Sequence, residues 1–448
     1  MIKNMKINRH ICLKRLLNIF VVLICLLHYS NIIGQSANEV IASDINTGQW
    51  FALKRHLAEI PRDSLSPFMG LTARAFAATK FNRPEESVDA FEELLNNHSD
   101  KLGLSNIILM SHFMAADLSK LGRNAEAAEL INDIVDATRP QLDSATVESL
   151  SNFAKQYEAY SHFSLNEMIL PGKGTPSVEF DLDSLHTEDS HSCYMKLCNS
   201  TLNGKTLAFT FDTGAGVNIL SDSLAVEYGV KPLGTMISAD GVGRQGGWLG
   251  LADEIKLGNI IIKNVPFYVI TVSTGNEKID RYAKHLNMLL GVQIMQVFKE
   301  FTIDFTKNSI SVNPGPTKNA GATPNMCYSN SLQLIGDFNN GDIQAIIDTG
   351  AADYCSLYKA YYDRHSEEIL EKGIPDTERT GGAGGIRITE GYNLSDFHLT
   401  LDGHTVILPE VYVSEQYDGE SDGLIGIDAL CLYKRLHFNM NNMTLTVE

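Results

Sequence analysis

The sequence predicts a multidomain chain, α in its first part and all-β in its second: helical hairpins followed by two copies of one β unit. Three observations carry this. From about Asn38 to Met168, apolar residues recur with helical period. From Cys193 onward, short alternating or continuous apolar runs are separated by Gly and Asn turns. The β part is also written twice. A chain of 448 residues has room for two or three domains that each bury a core. Its 44% hydrophobic and 20% charged residues suit folded protein and exclude collagen, long disorder and a multi-span membrane protein.

Residues 1–34 carry Lys3, Lys6, Arg9, Lys14 and Arg15, no acid, and an apolar run from Leu16 to Leu27 broken only by Asn18. This pattern is either a cleaved secretory signal or an uncleaved membrane anchor, since the run extended through Ile33 approaches the roughly 20 residues that span a bilayer. Both alternatives export the remainder to a periplasmic or extracellular space, and only the anchor makes a membrane a partner. Cys25 follows Ile24 rather than a small residue, which argues against a lipid-modified cysteine. The net charge is −18 even with the basic leader counted, so nucleic acid, whose binding depends on a basic face, is excluded as a partner. Beyond the leader stand Cys193, Cys198, Cys327, Cys355 and Cys431, with no C-x-x-C spacing for a zinc clamp or a redox pair. Buried free thiols are expected, and one disulfide stays open as an alternative.

Residues 35–168 form the expected helical domain. Turns at Asn46-Thr47-Gly48, Asn82-Arg83-Pro84 and Gly122-Arg123-Asn124 recur every 34 to 40 residues. Ala-rich segments such as Ala73-Arg74-Ala75-Phe76-Ala77 precede a turn, and Ala127-Ala128-Glu129-Leu130-Ile131 follows one. The region resembles tetratricopeptide-type helical hairpins, with the signature aromatic and Pro positions partly met; a plain helical bundle is the alternative. The resemblance implies a surface for a protein partner. In residues 169–192 the helical period stops, Pro171, Gly172, Gly174 and Pro176 cluster, and acids accumulate. A linker with an entering strand at Ser177 to Leu182 is expected, with His186 and His191 as solvated loop histidines rather than metal ligands.

The β part divides into residues 193–316 and 323–448. Aligning Gly291 with Gly426, an offset of 135, superposes Phe301 on Leu436, Ile303 on Phe438, Ile310 on Leu445 and Val312 on Val447. With a one-residue gap upstream, Asp212-Thr213-Gly214-Ala215 falls on Asp348-Thr349-Gly350-Ala351. Asn203-Gly204 and Asn340-Gly341 mark a hairpin turn ahead of each aspartate. Leu289-Leu290-Gly291 and Leu424-Ile425-Gly426 end 79 and 78 residues after it. One Asp-Thr-Gly means little, but two in matching frames are not coincidence.

On these residues, 193–448 resembles the clan of retropepsin-like and pepsin-like aspartic proteases, with both lobes in one polypeptide. The string from Asp422 to Leu430, Val265-Pro266-Phe267 and Leu408-Pro409 are similar to bacterial retropepsin-type domains. The resemblance implies a two-lobed β-barrel-type acid protease fold and an aspartic endopeptidase acting on a peptide or protein substrate, with Asp212 and Asp348 catalytic and no cofactor. It also implies that each apolar-apolar-Gly segment packs beneath its Asp loop. The chemistry follows from the residues themselves. Two adjacent carboxylates cannot both ionise easily, so they share a proton and serve as acid and base at once. Gly214 and Gly350 allow close backbone approach, and the Thr213 and Thr349 hydroxyls can lock the loops together. Ala215 and Ala351 lack the hydroxyl that pepsin-type lobes place there, which raises the pair's expected pKa values and predicts a mildly acidic to near-neutral optimum. A catalytically inactive peptide-binding scaffold on the same fold is the alternative.

Each copy also has a glycine-rich run, Gly241-Val242-Gly243-Arg244-Gln245-Gly246-Gly247 and Gly381-Gly382-Ala383-Gly384-Gly385. The first fits G-x-G-x-x-G but lacks the strand-turn-helix context of a dinucleotide site. Gly241, Gly243, Gly246, Gly247, Gly382, Gly384 and Gly385 are therefore expected in β-hairpin flaps over a peptide, with Trp248 covering the cleft or packing in the core. Helices are expected after Ser221, ending at Gly229, and from Ser356 to Leu370. Asp304 and Asp428 look structural, and Asp353, Tyr354 and Cys355 look like local packing. No metal site is expected, and H-E-x-x-H, G-x-S-x-G and Walker patterns are all missing.

Overall fold

Ser36, Ser66 and Asp143 each sit where a helix must begin, and each side chain accepts a hydrogen bond from the backbone N–H three residues on. A computed structural model describes residues 36–187, 190–240, 244–271, 286–313, 315, 322–339, 341–382, 385–419 and 421–448. The amino-terminal hydrophobic segment lies outside the described residues, as do Gly241, Gly243 and Gly384. The chain forms two units that divide between His162 and Phe163.

The first unit is helical: α1 (Ala37–Asn46), α2 (Trp50–Glu59), α3 (Pro67–Lys80), α4 (Pro84–Asn97), α5 (Leu104–Lys120), α6 (Asn124–Thr138) and α7 (Ser144–Ser161). Left-handed Gly48, Asn82 and Gly122 turn the chain between α1 and α2, α3 and α4, and α5 and α6. Phe76 stands at the centre of the core, with ring centroids 6.1 Å from Trp50, 5.7 Å from Phe91 and 5.8 Å from Phe113. Lys80 is 4% exposed, and its ammonium lies 4.7 Å from the Trp50 ring and 4.6 Å from the Phe113 ring. The ring faces offset part of the cost of that burial.

The second unit is β. Its first copy runs β1 (Glu167–Ile169), β2 (Ser177–Thr187), β3 (Ser190–Leu197), β4 (Ser200–Leu202), β5 (Lys205–Thr206), β6 (Thr210–Phe211), β7 (Ile219–Ser221), α8 (Asp222–Glu227), β8 (Lys231–Asp240), β9 (Arg244–Leu257), β10 (Ile260–Ile270), β11 (Met288–Leu290), α9 (Val292–Phe298), β12 (Glu300–Asp304) and β13 (Ser309–Val312). The second runs β14 (Met326–Ser329), β15 (Ser331–Phe338), β16 (Gly341–Asp348), β17 (Cys355–Leu357), α10 (Lys359–Lys372), β18 (Ile374–Gly382), β19 (Gly385–Leu401), β20 (His404–Ser414), β21 (Gly423–Gly426), α11 (Ile427–Leu430), β22 (Arg435–Asn439) and β23 (Thr444–Val447).

The duplication is visible in the pairing. The first copy contains the order β6-β11-β7-β10-β9 with β8 on β9, and the second β16-β21-β17-β20-β19-β18. In both, the Asp-bearing strand pairs parallel with the apolar-apolar-Gly strand, which pairs antiparallel with the short strand after the Asp loop. That short strand then pairs parallel with the strand leaving the hairpin. The copies meet where β12 pairs antiparallel with β22, putting Phe301 opposite Phe438 with stacked rings 4.8 Å apart. Phe211, directly before Asp212, packs edge-on against Phe301 at 5.9 Å.

Three sequence expectations change. Helix ends at Ser161, not near 168, because Glu167–Ile169 adds to the edge of β10 as β1. The expected linker at 169–192 is largely a hairpin: β2 pairs with β3, and His186 lies opposite His191 in its register rather than in a loop. Val178 and Phe180 are buried while Glu179 and Asp181 face out, so the acids mark the solvent face of a strand. Ser356 does not open the second long helix. It lies in β17, and α10 starts after Tyr358. All five described cysteines are free thiols, and no helix among the described residues is long and apolar enough to cross a membrane.

Candidate functional site

Two short strands deliver the aspartates. The chain turns through left-handed Asn203 and Gly204 into β5 and then β6, which ends at Phe211; the Asp212 N–H donates to Leu290 O at 3.0 Å. In the second copy β16 carries Ile347 and Asp348 alongside Ile425 and Gly426 of β21. The loops beyond are seated alike. Val292 N–H donates to Ala215 O, and Ile427 N–H to Ala351 O, both at 2.8 Å. Each apolar-apolar-Gly segment thus underpins its own Asp loop.

The two loops are locked by reciprocal hydrogen bonds. Thr213 N–H donates to Thr349 Oγ1 at 3.0 Å, and Thr349 N–H to Thr213 Oγ1 at 2.9 Å. Thr213 Oγ1 donates to Ile347 O at 2.8 Å, and Thr349 Oγ1 to Phe211 O at 2.7 Å. Both threonines are fully buried. Each hydroxyl accepts from the opposite loop and donates to the strand that delivers the opposite aspartate, so the two strands are held at fixed separation.

Glycine is required on both sides of this lock. A Cβ at Gly350 would lie 2.7 Å from Asp212 Cγ, and one at Gly214 would overlap the Asp348 carboxyl, 2.6 Å from its Oδ1. Each carboxyl therefore rests on the other loop's glycine. Asp212 Oδ1 accepts from Gly214 N–H at 2.9 Å and Ala215 N–H at 3.0 Å, the setting of an ionised carboxylate. Asp348 Oδ1 accepts from Gly350 N–H at 2.8 Å. Burial raises the Asp348 pKa well above the carboxylate range, and the adjacent Asp212 charge and a hydrogen bond between the two carboxyl groups raise it further. One proton is therefore shared by the two carboxyl groups.

The glycine-rich runs lie at hairpins, with Asp240 opposite Arg244 between β8 and β9, and Gly382 opposite Gly385 between β18 and β19. Gly246 and Gly247 belong to β9. Gly246 has open space around it, whereas a Cβ at Gly247 would strike Val269 O and Ile270, so Gly247 serves sheet packing. Trp248 is half-buried rather than part of the core, and its Nε1–H donates to Asp222 Oδ1 at 2.9 Å, tying β9 to α8. Asp304, despite desolvation that pulls the other way, is held down to about 2 by hydrogen bonds from Thr306 and Arg435. With Arg435 it links β12 to β22 at 2.8 Å.

The sequence reading missed a second polar group. Glu378 of β18 accepts from Ser356 Oγ at 2.9 Å, and its pKa is pushed up to about 7 by burial and by Asp353, against hydrogen bonds from Ser356 and Thr380 and the charge of Arg387. Asp353 lies 3.5 Å from the same Ser356 hydroxyl. Arg387 of β19 stacks on Tyr417, which packs edge-on against Tyr358. Burial, Tyr417 and then Asp348 push the Tyr358 phenol up, so these residues neighbour the aspartate pair. Their only sequence signal is position: Glu378 and Arg387 flank the second glycine-rich run.

Residues 199–294 match a family model described as aspartyl protease. The matched segment runs from β4 to α9 and includes Asp212-Thr213-Gly214 and Leu289-Leu290-Gly291. No curated protein matches the chain.

Proposed function

We propose that the chain is an aspartic endopeptidase in which Asp212 and Asp348 activate one water between two lobes of an acid protease fold. The observation that carries this is the hydrogen-bonded carboxyl pair, seated on loops that the two threonine hydroxyls cross-link. The aspartyl protease match over the first copy supports it. Asp212, held by two N–H donors, takes a proton from the water as general base. Asp348, kept protonated, donates to the substrate carbonyl as the water adds, and the proton gained by Asp212 then passes to the leaving amine. The two hairpins with their glycine-rich runs would close over an extended peptide, excluding bulk water from the reaction.

Without a hydroxyl at Ala215 or Ala351 to favour ionisation, and with Asp348 raised, the working range is mildly acidic to near neutral. The amino-terminal segment would export the protein, and the helical unit, if its hairpins are tetratricopeptide-like, would recruit a protein partner or substrate. The deciding assay incubates the protein with a diverse peptide library beside Asp212→Asn and Asp348→Asn. Cleavage is expected from the parent alone, and cleavage surviving in both variants would end the proposal.

A further inference from the structure

The second hairpin carries a cation within electrostatic reach of Tyr358, on which Asp348 also acts. Arg387 Cζ lies 3.6 Å from the centroid of the Tyr417 ring. Tyr417 packs against Tyr358 at 4.7 Å and 89°, and Tyr358 lies close enough to both Asp348 and Arg387 for each to act on its phenol. Arg387, Tyr358 and Asp348 therefore share one neighbourhood in a strongly acidic chain.

Among the described residues, no carboxylate sits within ion-pair distance of Arg387. The nearest claim on it comes from Glu378 across the hairpin, whose oxygens are engaged by Ser356 and Thr380 and whose pKa of about 7 leaves it largely neutral in mild acid. A guanidinium stacked on an aromatic face keeps its in-plane N–H groups free, and that fork matches a carboxylate in two parallel hydrogen bonds. Tyr417 is itself held in place: its backbone oxygen accepts from Lys359 N–H at 2.8 Å, and its ring is braced by Tyr358. The stacked arginine is thus positioned before any ligand arrives.

We propose that Arg387, laid on Tyr417, forms a subsite for the carboxylate of an Asp or Glu side chain in a peptide bound over Asp348. This rests on the protease reading for the peptide's placement and adds the substrate class. The subsite predicts a preference for acidic residues on the side of the scissile bond covered by the second hairpin.

The test uses matched peptides, acetylated and amidated at their ends, that differ only by Glu, Gln or Lys at each position flanking the cleavage point; a Gln peptide with a free terminal carboxylate separates side-chain from terminal recognition. Cleavage is measured with the full-length protein, and binding by fluorescence anisotropy with its Asp212→Asn variant. At one position Glu should exceed Gln about tenfold to a hundredfold in kcat/KM and in affinity, as for loss of one charged hydrogen-bonded contact. Arg387→Gln should bring that ratio toward one, and Arg387→Glu should turn it into a preference for Lys, a gain that misfolding cannot mimic. Equal handling of Glu and Gln peptides by the parent, or a Glu preference persisting in Arg387→Glu, overturns the subsite. If only the free terminal carboxylate is preferred, the side-chain subsite is likewise overturned. If nothing is cleaved, the protease reading fails, and anisotropy alone decides: Arg387-dependent Glu preference upholds the subsite, and its absence sinks it.

Discussion

Replacing Glu378 by Gln should stabilise the protein in mild alkali and leave it unchanged in acid. The carboxyl is buried among Asp353, Ser356, Thr380 and Arg387, with Cys355 and Tyr412 close by, and its pKa rises from 4.5 to about 7. A shift of ~2.5 units corresponds to ~3 kcal/mol. The sign follows from proton binding: between 4.5 and 7 the folded state holds a proton that the unfolded state has released. Stability from this group is therefore full below 4.5 and lost as pH rises through 7. Gln cannot ionise, but it still offers Ser356 Oγ an oxygen at the place where the hydroxyl now donates at 2.9 Å. Urea unfolding at about pH 4 and about pH 8.5 should show parent and variant nearly equal at the lower value, with the variant ahead by up to ~3 kcal/mol at the higher. Titration of the aspartate pair contributes to both proteins and cancels in the difference. A gap of the same size at both pH values would mean that Glu378 ionises normally, and the electrostatic account of this hairpin would be wrong.

Other expectations follow from the same geometry. Thr213→Val removes two of the four bonds that lock the Asp loops and leaves Thr349 N–H and Ile347 O buried without their partner, so unfolding should become easier by roughly 2 to 4 kcal/mol, read by urea titration. Gly214→Ala places a methyl against the Asp348 carboxyl; peptide cleavage should disappear while stability falls only about 1 to 3 kcal/mol, and retained turnover would show that the carboxyls need not sit over the opposite glycines. Because Asp348 must carry a proton and its pKa is raised, kcat/KM should hold through mild acid and fall as pH rises past that value; a profile peaking below about pH 3 contradicts this. Arg435→Met removes one of the donors holding Asp304 near 2, so acid unfolding, in which that stability is lost as pH falls through 2, should begin at a higher pH by circular dichroism.

What the sequence made legible was periodic or repeated. Helical spacing locates the amino-terminal helices, and a 135-residue offset alone matches β12 and β13 to β22 and β23. The duplicated tetrapeptide identified the residues that now lie in mutual contact, because a turn tight enough to aim a carboxyl needs the same small residues each time it is built. Where the signal was compositional, it misled. The acids of β2 suggested a linker because a strand with one wet face is polar at alternate positions. Ser356 looked like a helix cap because its hydroxyl is indeed engaged, but by Glu378 rather than by a helical N–H.

The second polar group shows why a duplicated sequence still folds into an unequal site. Nothing in a repeat alignment singles out Glu378 or Arg387, since the match between copies is carried by strands and Asp loops, and hairpin residues are free to diverge. Yet Glu378, Arg387 and Tyr358 lie on the Asp348 side, and the electrostatic link between Tyr358 and Asp348 makes the surroundings of that aspartate part of its chemistry. Asp212 meanwhile keeps two short backbone N–H contacts in its own loop. Both carboxyls thus accept from N–H groups of their own loop and contact each other, and the difference between their surroundings lies in the residues of the second hairpin. A single proton shared by two touching carboxyls already makes them inequivalent, so the residues around the second hairpin need only bias which aspartate holds it.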